Sequence, residues 1–179
     1  DGGYKHYSGF EQQKLNFLHQ YDNGNLSVKN VFAITNLEQE TAGFIKGKDA
    51  YKDKIQKRFN PNPEAYRDNQ TYRLYSQLGY AFESGSKLRF TPYLRHVRTE
   101  FLMHFLPWQP VETNEQMGLG VQAQYEFNSE DVSWLVGVDL DLTEGSLIED
   151  QKQPFSPSKP EGLHYNYEVD ALVLSPFVK

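Results

Sequence analysis

The stretch Gln116-Met117-Gly118-Leu119-Gly120-Val121-Gln122-Ala123-Gln124-Tyr125-Glu126-Phe127 alternates without error, and after Asn128-Ser129-Glu130-Asp131 the alternation restarts. Met117, Leu119, Val121, Ala123, Tyr125 and Phe127 share one parity, and Gln116, Gly118, Gly120, Gln122, Gln124 and Glu126 the other. In the second run, Trp134, Val136, Val138, Leu140 and Leu142 oppose Gly137, Asp139, Asp141 and Thr143. Successive strand side chains point to opposite faces, so each strand has one apolar wall and one wet wall. Aromatics near the turn on the apolar wall, with Gln, Gly and Asp on the other, suit a barrel with lipid outside and a polar lumen.

The same alternation recurs along the chain. Leu15, Phe17, His19 and Tyr21 oppose Lys14, Asn16 and Gln20, with Leu18 breaking the polar parity. Asp22-Asn23-Gly24-Asn25 is a hairpin signal, because Asn-Gly readily takes positive φ. The return strand sets Leu26, Val28, Phe32 and Ile34 against Ser27, Lys29 and Thr35. Tyr72, Leu74, Leu78, Tyr80 and Phe82 then oppose Arg73, Tyr75, Gln77 and Gly79. The turn Glu83-Ser84-Gly85-Ser86 leads into Leu88, Phe90, Pro92 and Leu94, where Pro92 removes a ladder donor. A last strand, roughly His164 to Leu174, becomes apolar on both parities, which makes seven strands in all.

Connections of two kinds alternate. Those at 22–25, 83–86 and 128–132 are tight, whereas those at about 41–70, 103–115 and 145–163 are long and rich in Pro, Lys, Asn and Glu. Short turns at one rim and long loops at the other are the layout of an outer-membrane barrel. Tyr21, Tyr80, Phe82, Phe90, Tyr125, Phe127 and Trp134 all fall close to a short turn, where a periplasmic girdle belongs. The fold class expected is therefore all-β, an antiparallel transmembrane barrel segment with short periplasmic turns and long extracellular loops. A soluble sandwich or ligand-carrying barrel would also alternate, but it accounts for neither the graded loop lengths nor the aromatics.

Composition agrees. The chain has 179 residues with twelve Tyr, twelve Phe and two Trp, and no stretch approaches the length of a spanning helix. There is no cysteine, which excludes disulfides, thiolate metal sites and thiol catalysis. A net charge of −6 without a Lys/Arg tract argues against nucleic acid as a partner. The chain starts at Asp1 without Met or signal peptide, so it is expected to begin inside a mature or larger protein.

Several segments resemble the barrel of TonB-dependent outer-membrane receptors. They are Tyr7-Ser8-Gly9-Phe10-Glu11-Gln12-Gln13-Lys14-Leu15, Asn36-Leu37-Glu38-Gln39-Glu40-Thr41-Ala42-Gly43 and Asn60-Pro61-Asn62-Pro63-Glu64-Ala65-Tyr66-Arg67. Phe105-Leu106-Pro107-Trp108-Gln109-Pro110, the run from Val136 to Leu147 and the stretch from His164 to Ala171 add to it. The resemblance implies uptake of a ferric siderophore or similar chelate through a plugged 22-stranded barrel of a Gram-negative outer membrane. The partners implied are outer-membrane lipid, the chelate, and the TonB complex acting through a plug. No plug or TonB-contacting segment is recognised here, and Ser175–Lys179 does not end on the aromatic-terminated strand that barrel assembly recognises. Residues 1–179 are accordingly expected to form part of one barrel domain, an internal piece that alone transports nothing. A small complete outer-membrane barrel, adhesive or structural, is the alternative within the membrane class. A barrel enzyme such as a lipase would need a Ser-His pair at the rim, and none is evident.

With the short turns periplasmic, residues near the long loops meet ligand first. The candidates are Arg67, Arg73, Arg95, Arg98, His104, Trp108, His164 and Tyr165. Arg pairs bidentately with carboxylates, and aromatics stack on flat catecholate rings. The competing reading pairs lumen Arg with Asp139, Asp141 and Glu126 for charge balance. His6, His19, His96, His104 and His164 are too scattered for a metal site, and His19 shares the lipid-facing parity. Asp139 and Asp141 share a strand face as an acid/base pair would, but charge balance in a wet lumen is the simpler role. Gly118-Leu119-Gly120 is no dinucleotide fingerprint, lacking a third Gly and a following helix. No catalytic residue and no cofactor are expected.

Overall fold

Every strand of this chain is hydrogen-bonded to the strands that precede and follow it in sequence. The computed structural model describes residues 4–129 and 132–179. The strands are β1 (Phe10–Asn23), β2 (Leu26–Glu40), β3 (Tyr66–Ala81), β4 (Lys87–Leu102), β5 (Val111–Asn128), β6 (Ser133–Gln151) and β7 (Gly162–Val178). They form one seven-stranded antiparallel meander in the order β1 to β7. β1 and β7 make no contact with each other, so the sheet stays open.

The register turns sequence parity into two faces. Directly paired residues of neighbouring strands lie on the same side of a sheet. Phe17, Phe32, Leu74, Leu94, Leu119, Leu142 and Leu172 make one register row across all seven strands. On this outer face of β3, Tyr72 to Tyr80 spans eight residue steps, about 26 Å of strand. At the end of the band near Glu144 and Asp170, the apolar run on β6 and β7 starts one pair closer to the turns than on β1 to β3.

The seven aromatics expected in the girdle all lie on this face and all are exposed, from 37% for Tyr125 to 53% for Trp134. Phe82 packs edge-on against Tyr80 and Tyr125 at centroid distances of 4.9 and 6.1 Å. Trp134 pairs with Phe127 beside the third turn. His19 is on the same face, 3.1 Å from the Asn30 amide.

The turns follow local chemistry. Gly24 sits at φ 58° and Gly85 at φ 84°, the left-handed backbone for which glycine has no steric penalty. In the third turn the Ser129 amide donates to the Val132 carbonyl, while Glu130 and Asp131 lie outside the described residues. Pro92 acts as its missing N–H dictates: β3–β4 pairing lapses opposite Ser76 and Gln77, while the β4–β5 register runs on through Val121.

The strands are longer at the loop end than alternation suggests. β3 begins at Tyr66 rather than near Tyr72, β5 at Val111, β6 continues to Gln151 and β7 runs from Gly162 to Val178. The cause is the outer face beyond the apolar band. There the row Gln13, Asn36, Gln70, Arg98, Glu115, Ser146, Glu168 is polar on every strand. Both faces are wet at that height, so alternation vanishes while the backbone ladder continues.

The sheet is one layer. Apart from Ser86 in a turn, the most buried side chains (Ala50, Asn60, Ala65, Pro110, Val111, Glu149 and Gln151) gather around the long loops. Domains normally bury an apolar face between two layers. Among the described residues nothing covers the outer face, where Leu119 is 53% and Leu172 68% exposed. No helix is long and apolar enough to cross a membrane.

Candidate functional site

The inner face is polar, and its geometry centres on two glycines. Gly118 and Gly120 of β5 pair with Arg95 and Tyr93 of β4 on one side and with Thr143 and Asp141 of β6 on the other. A Cβ on Gly118 would lie 2.5 Å from Arg95 Nε, and one on Gly120 would fall inside the Tyr93 phenol. The missing side chains therefore form a trough through which Tyr93 and Arg95 cross β5. Tyr93 donates to Asp141 Oδ2 at 2.5 Å, and Arg95 reaches both carboxylate oxygens and Thr143 Oγ1 at 3.0 Å. Thr143 in turn donates to Asp141 at 2.6 Å. Arg89 faces Glu126 at 3.8 Å nearer the turns.

The long loops form the rim. Residues 41–65 carry two single-turn 3₁₀ segments, Ala50–Lys52 and Gln56–Arg58. The Asp53 carboxylate accepts the Ile55 and Gln56 amides, each at 2.8 Å, and these bonds hold its carboxyl below the usual range. Asn60 ties the loop together. Its oxygen accepts the Gly43 and Asn62 amides, and its amide donates to the Tyr7 carbonyl at 2.8 Å. Residues 103–110 fold into a compact turn with Gln109 at φ 45°. Gln109 donates to Glu64 at 2.7 Å, linking the two loops. Burial pushes the Glu64 carboxyl up, but its own backbone amide, Gln109 and Asn62 outweigh this and hold it low.

Between these loops lies a cleft of about 720 Å³, walled by Phe44, Ile45, Phe59, Pro61 and Phe105, with Lys46, Gln56, Asn62 and His104 as its polar members. A concave, mostly apolar surface with a few polar groups is the usual form of a small-ligand site. A second hollow, of about 260 Å³, lies beside Trp108, Gln151 and Phe155.

The eight candidates fall into three groups. Arg67, Arg73 and Arg95 lie on the inner wall: Arg67 stacks over Phe101 at 5.2 Å, Arg95 is bound to Asp141, and Arg73 stands directly opposite Arg95. His104, Trp108, His164 and Tyr165 lie at the rim. His104 borders the large cleft, and Trp108 packs near Phe155 with Lys159 4.7 Å above its ring. His164 contacts the Pro160 carbonyl at 2.8 Å and faces Glu149 at 3.5 Å beside a bulge in β7. Tyr165 stacks on Tyr167. Arg98 belongs to neither group. It is on the outer face above the apolar band, bound to Glu100, which also accepts the Tyr66 hydroxyl.

The cleft residues Phe44, Ile45, Lys46, Phe59 and Phe105 carry no periodicity and are not among the sequence candidates. A local charge count would have pointed to them: residues 41–65 hold six Lys or Arg against three Asp or Glu, within a chain of net charge −6. Among the described residues no group of three or more His, Asp or Glu is placed to hold a metal ion. The chain matches no family model, and no curated protein matches it significantly.

Proposed function

We propose that this chain is a segment of the wall of an outer-membrane, TonB-dependent receptor that takes up a ferric siderophore or similar chelate. The observation that carries the membrane part is the uncovered apolar band. It runs through all seven strands on one face, with aromatics at its short-turn margin and a charged collar at the other. Lipid covers such a band without a second protein layer, whereas water would leave it exposed. An open edge at both β1 and β7 suits a segment continued by further strands better than a closed small barrel.

The transport part rests on the resemblance and on the rim. The cleft between the two loops offers aromatic and aliphatic walls with Lys46 and His104, a surface suited to a flat, anionic chelate. Capture occurs at the loops, and passage inward is driven through a plug that these strands would surround.

An immunoblot of source-cell outer membranes with an antibody against residues 46–66 tests the reading. A band several-fold above the chain's 20.8 kDa in the outer-membrane fraction is expected. A band at the chain's own mass would sink the receptor assignment, and one confined to the soluble fraction would sink the lipid wall as well.

A further inference from the structure

Charge on the inner face is divided by strand. On β1 to β4, seven cations descend from Arg67 near the rim through Lys14, Arg73, Arg95, Lys29 and Arg89 to Lys87 beside the turn, against Asp22 alone. On β5 and β6 the same face carries Glu112, Glu126, Asp139, Asp141 and Glu149 and no cation. On β7 it carries no charge, and Val169 and Val173 are 62% and 52% exposed there.

Internal pairing takes up part of this division: Arg95 binds Asp141, Arg89 faces Glu126 at 3.8 Å, and Lys87 stands directly opposite Glu126. Among the described residues no carboxylate pairs with Arg73, which sits opposite Arg95, an arrangement that like-charge repulsion disfavours. Lower down, Lys29, Arg89, Gln20, Gln77 and Thr91 line a hollow of about 420 Å³ with Asp22 as its one carboxylate, so its cations outnumber its anions two to one. At Gly79 the space a Cβ would need is taken by Ser27 Oγ, a further polar group on its wall. The cation ladder covers fourteen residue steps from Phe101's partner Arg67 to Lys87, about 46 Å of strand, enough to run from rim to turn.

We infer that the inner face of β1 to β4 is a passage wall for anionic solutes, with the Lys29–Arg89 hollow as a binding station. The inference rests on the sheet being a barrel wall. Cations along a low-dielectric wall concentrate anions locally.

This chain has no cysteine, so single Gln77→Cys, Gln122→Cys and Leu119→Cys variants of the whole protein in outer membranes, each read against the unsubstituted protein as background, give the test. Each is treated with an anionic (sulfonatoethyl) and a cationic (trimethylammonium-ethyl) methanethiosulfonate. The anionic-to-cationic rate ratio is expected to be about tenfold higher at position 77 than at 122 and to fall when Lys29→Gln and Arg89→Gln are added. Equal ratios at 77 and 122, or no reaction at 77, would each overturn the inference. Fast labelling at 119 would overturn the barrel wall itself, a separate failure.

Discussion

Tyr93 of β4 and Asp141 of β6 are joined by a 2.5 Å hydrogen bond that passes over Gly120 of β5, the residue that pairs with both. Interactions that skip a strand are made only where the intervening side chain is missing. Here that absence fastens three strands together on the inner wall and leaves the Arg95 guanidinium fixed against the same carboxylate.

The two glycines should therefore respond differently to alanine. At Gly120 the new methyl meets the Tyr93 ring and the Leu140 carbonyl, a backbone atom that cannot step aside. Gly120→Ala is expected to cost roughly 1–3 kcal/mol. At Gly118 the nearest atoms are Arg95 Nε and Cγ, so Gly118→Ala should push the Arg95 side chain off Asp141 and cost less than Gly120→Ala, because a side chain can move where a backbone carbonyl cannot. Urea midpoints of the membrane-assembled protein measure both, and equal losses would contradict the trough.

Leu119 and Gln122 are three residues apart on opposite faces of one strand. Leu119→Arg places a charge in the middle of the apolar band and should block assembly, at a cost of roughly 2–4 kcal/mol. Gln122→Arg points to the wet side, between Thr91 and Asp139, and should assemble as wild type. Membrane fractionation separates the outcomes, and equal tolerance would refute the assignment of faces.

Asn60 is 6% exposed and holds three backbone groups. Asn60→Ala leaves those buried groups unsatisfied, a loss of roughly 1–3 kcal/mol. The strands do not depend on it, so proteolysis should speed up between residues 41 and 65 alone. Cleavage that spreads into β2 or β3 would show a wider role.

The Glu64–Gln109 tether should weaken in acid. The folded carboxyl titrates below its ordinary value of 4.5, so its contribution is complete above that pH and is lost as pH falls through the folded value. Trp108 lies in the tethered loop, and Trp134 is the only other tryptophan. In a Trp134→Phe background, acrylamide quenching of Trp108 should rise as pH drops below the carboxyl range. Glu64→Gln should remove that step, and a step that persists would place the titration elsewhere.

The sequence revealed the sheet wherever its two faces differ in environment. Met117 to Phe127 alternate because one side of β5 is apolar and the other polar, and the register confirms each parity. Above the band that contrast disappears, so the outer ends of β3, β5 and β6 were not legible although their ladders continue. The rim is harder still. His104 could be named as loop-borne, but its cleft is built by Phe44, Phe59 and Phe105 from two loops whose contact depends on single bonds such as Gln109 to Glu64. Arg98 shows the opposite limit, because parity alone would have placed it on the outer face with Glu100.

Both margins of the sheet are ladder edges, and along the seventeen residues of β7 alternate amides and carbonyls turn away from β6 with no strand beside them. One copy's β7 margin can accept another copy's β1 margin, and that joint leaves a fresh pair of margins at either end. Head-to-tail contacts of this kind grow into filaments unless they close into rings. Produced by itself, this polypeptide is thus a monomer unit for ribbon growth, and detergent, which shields only the greasy face, does not stop the chain reaction at the rims.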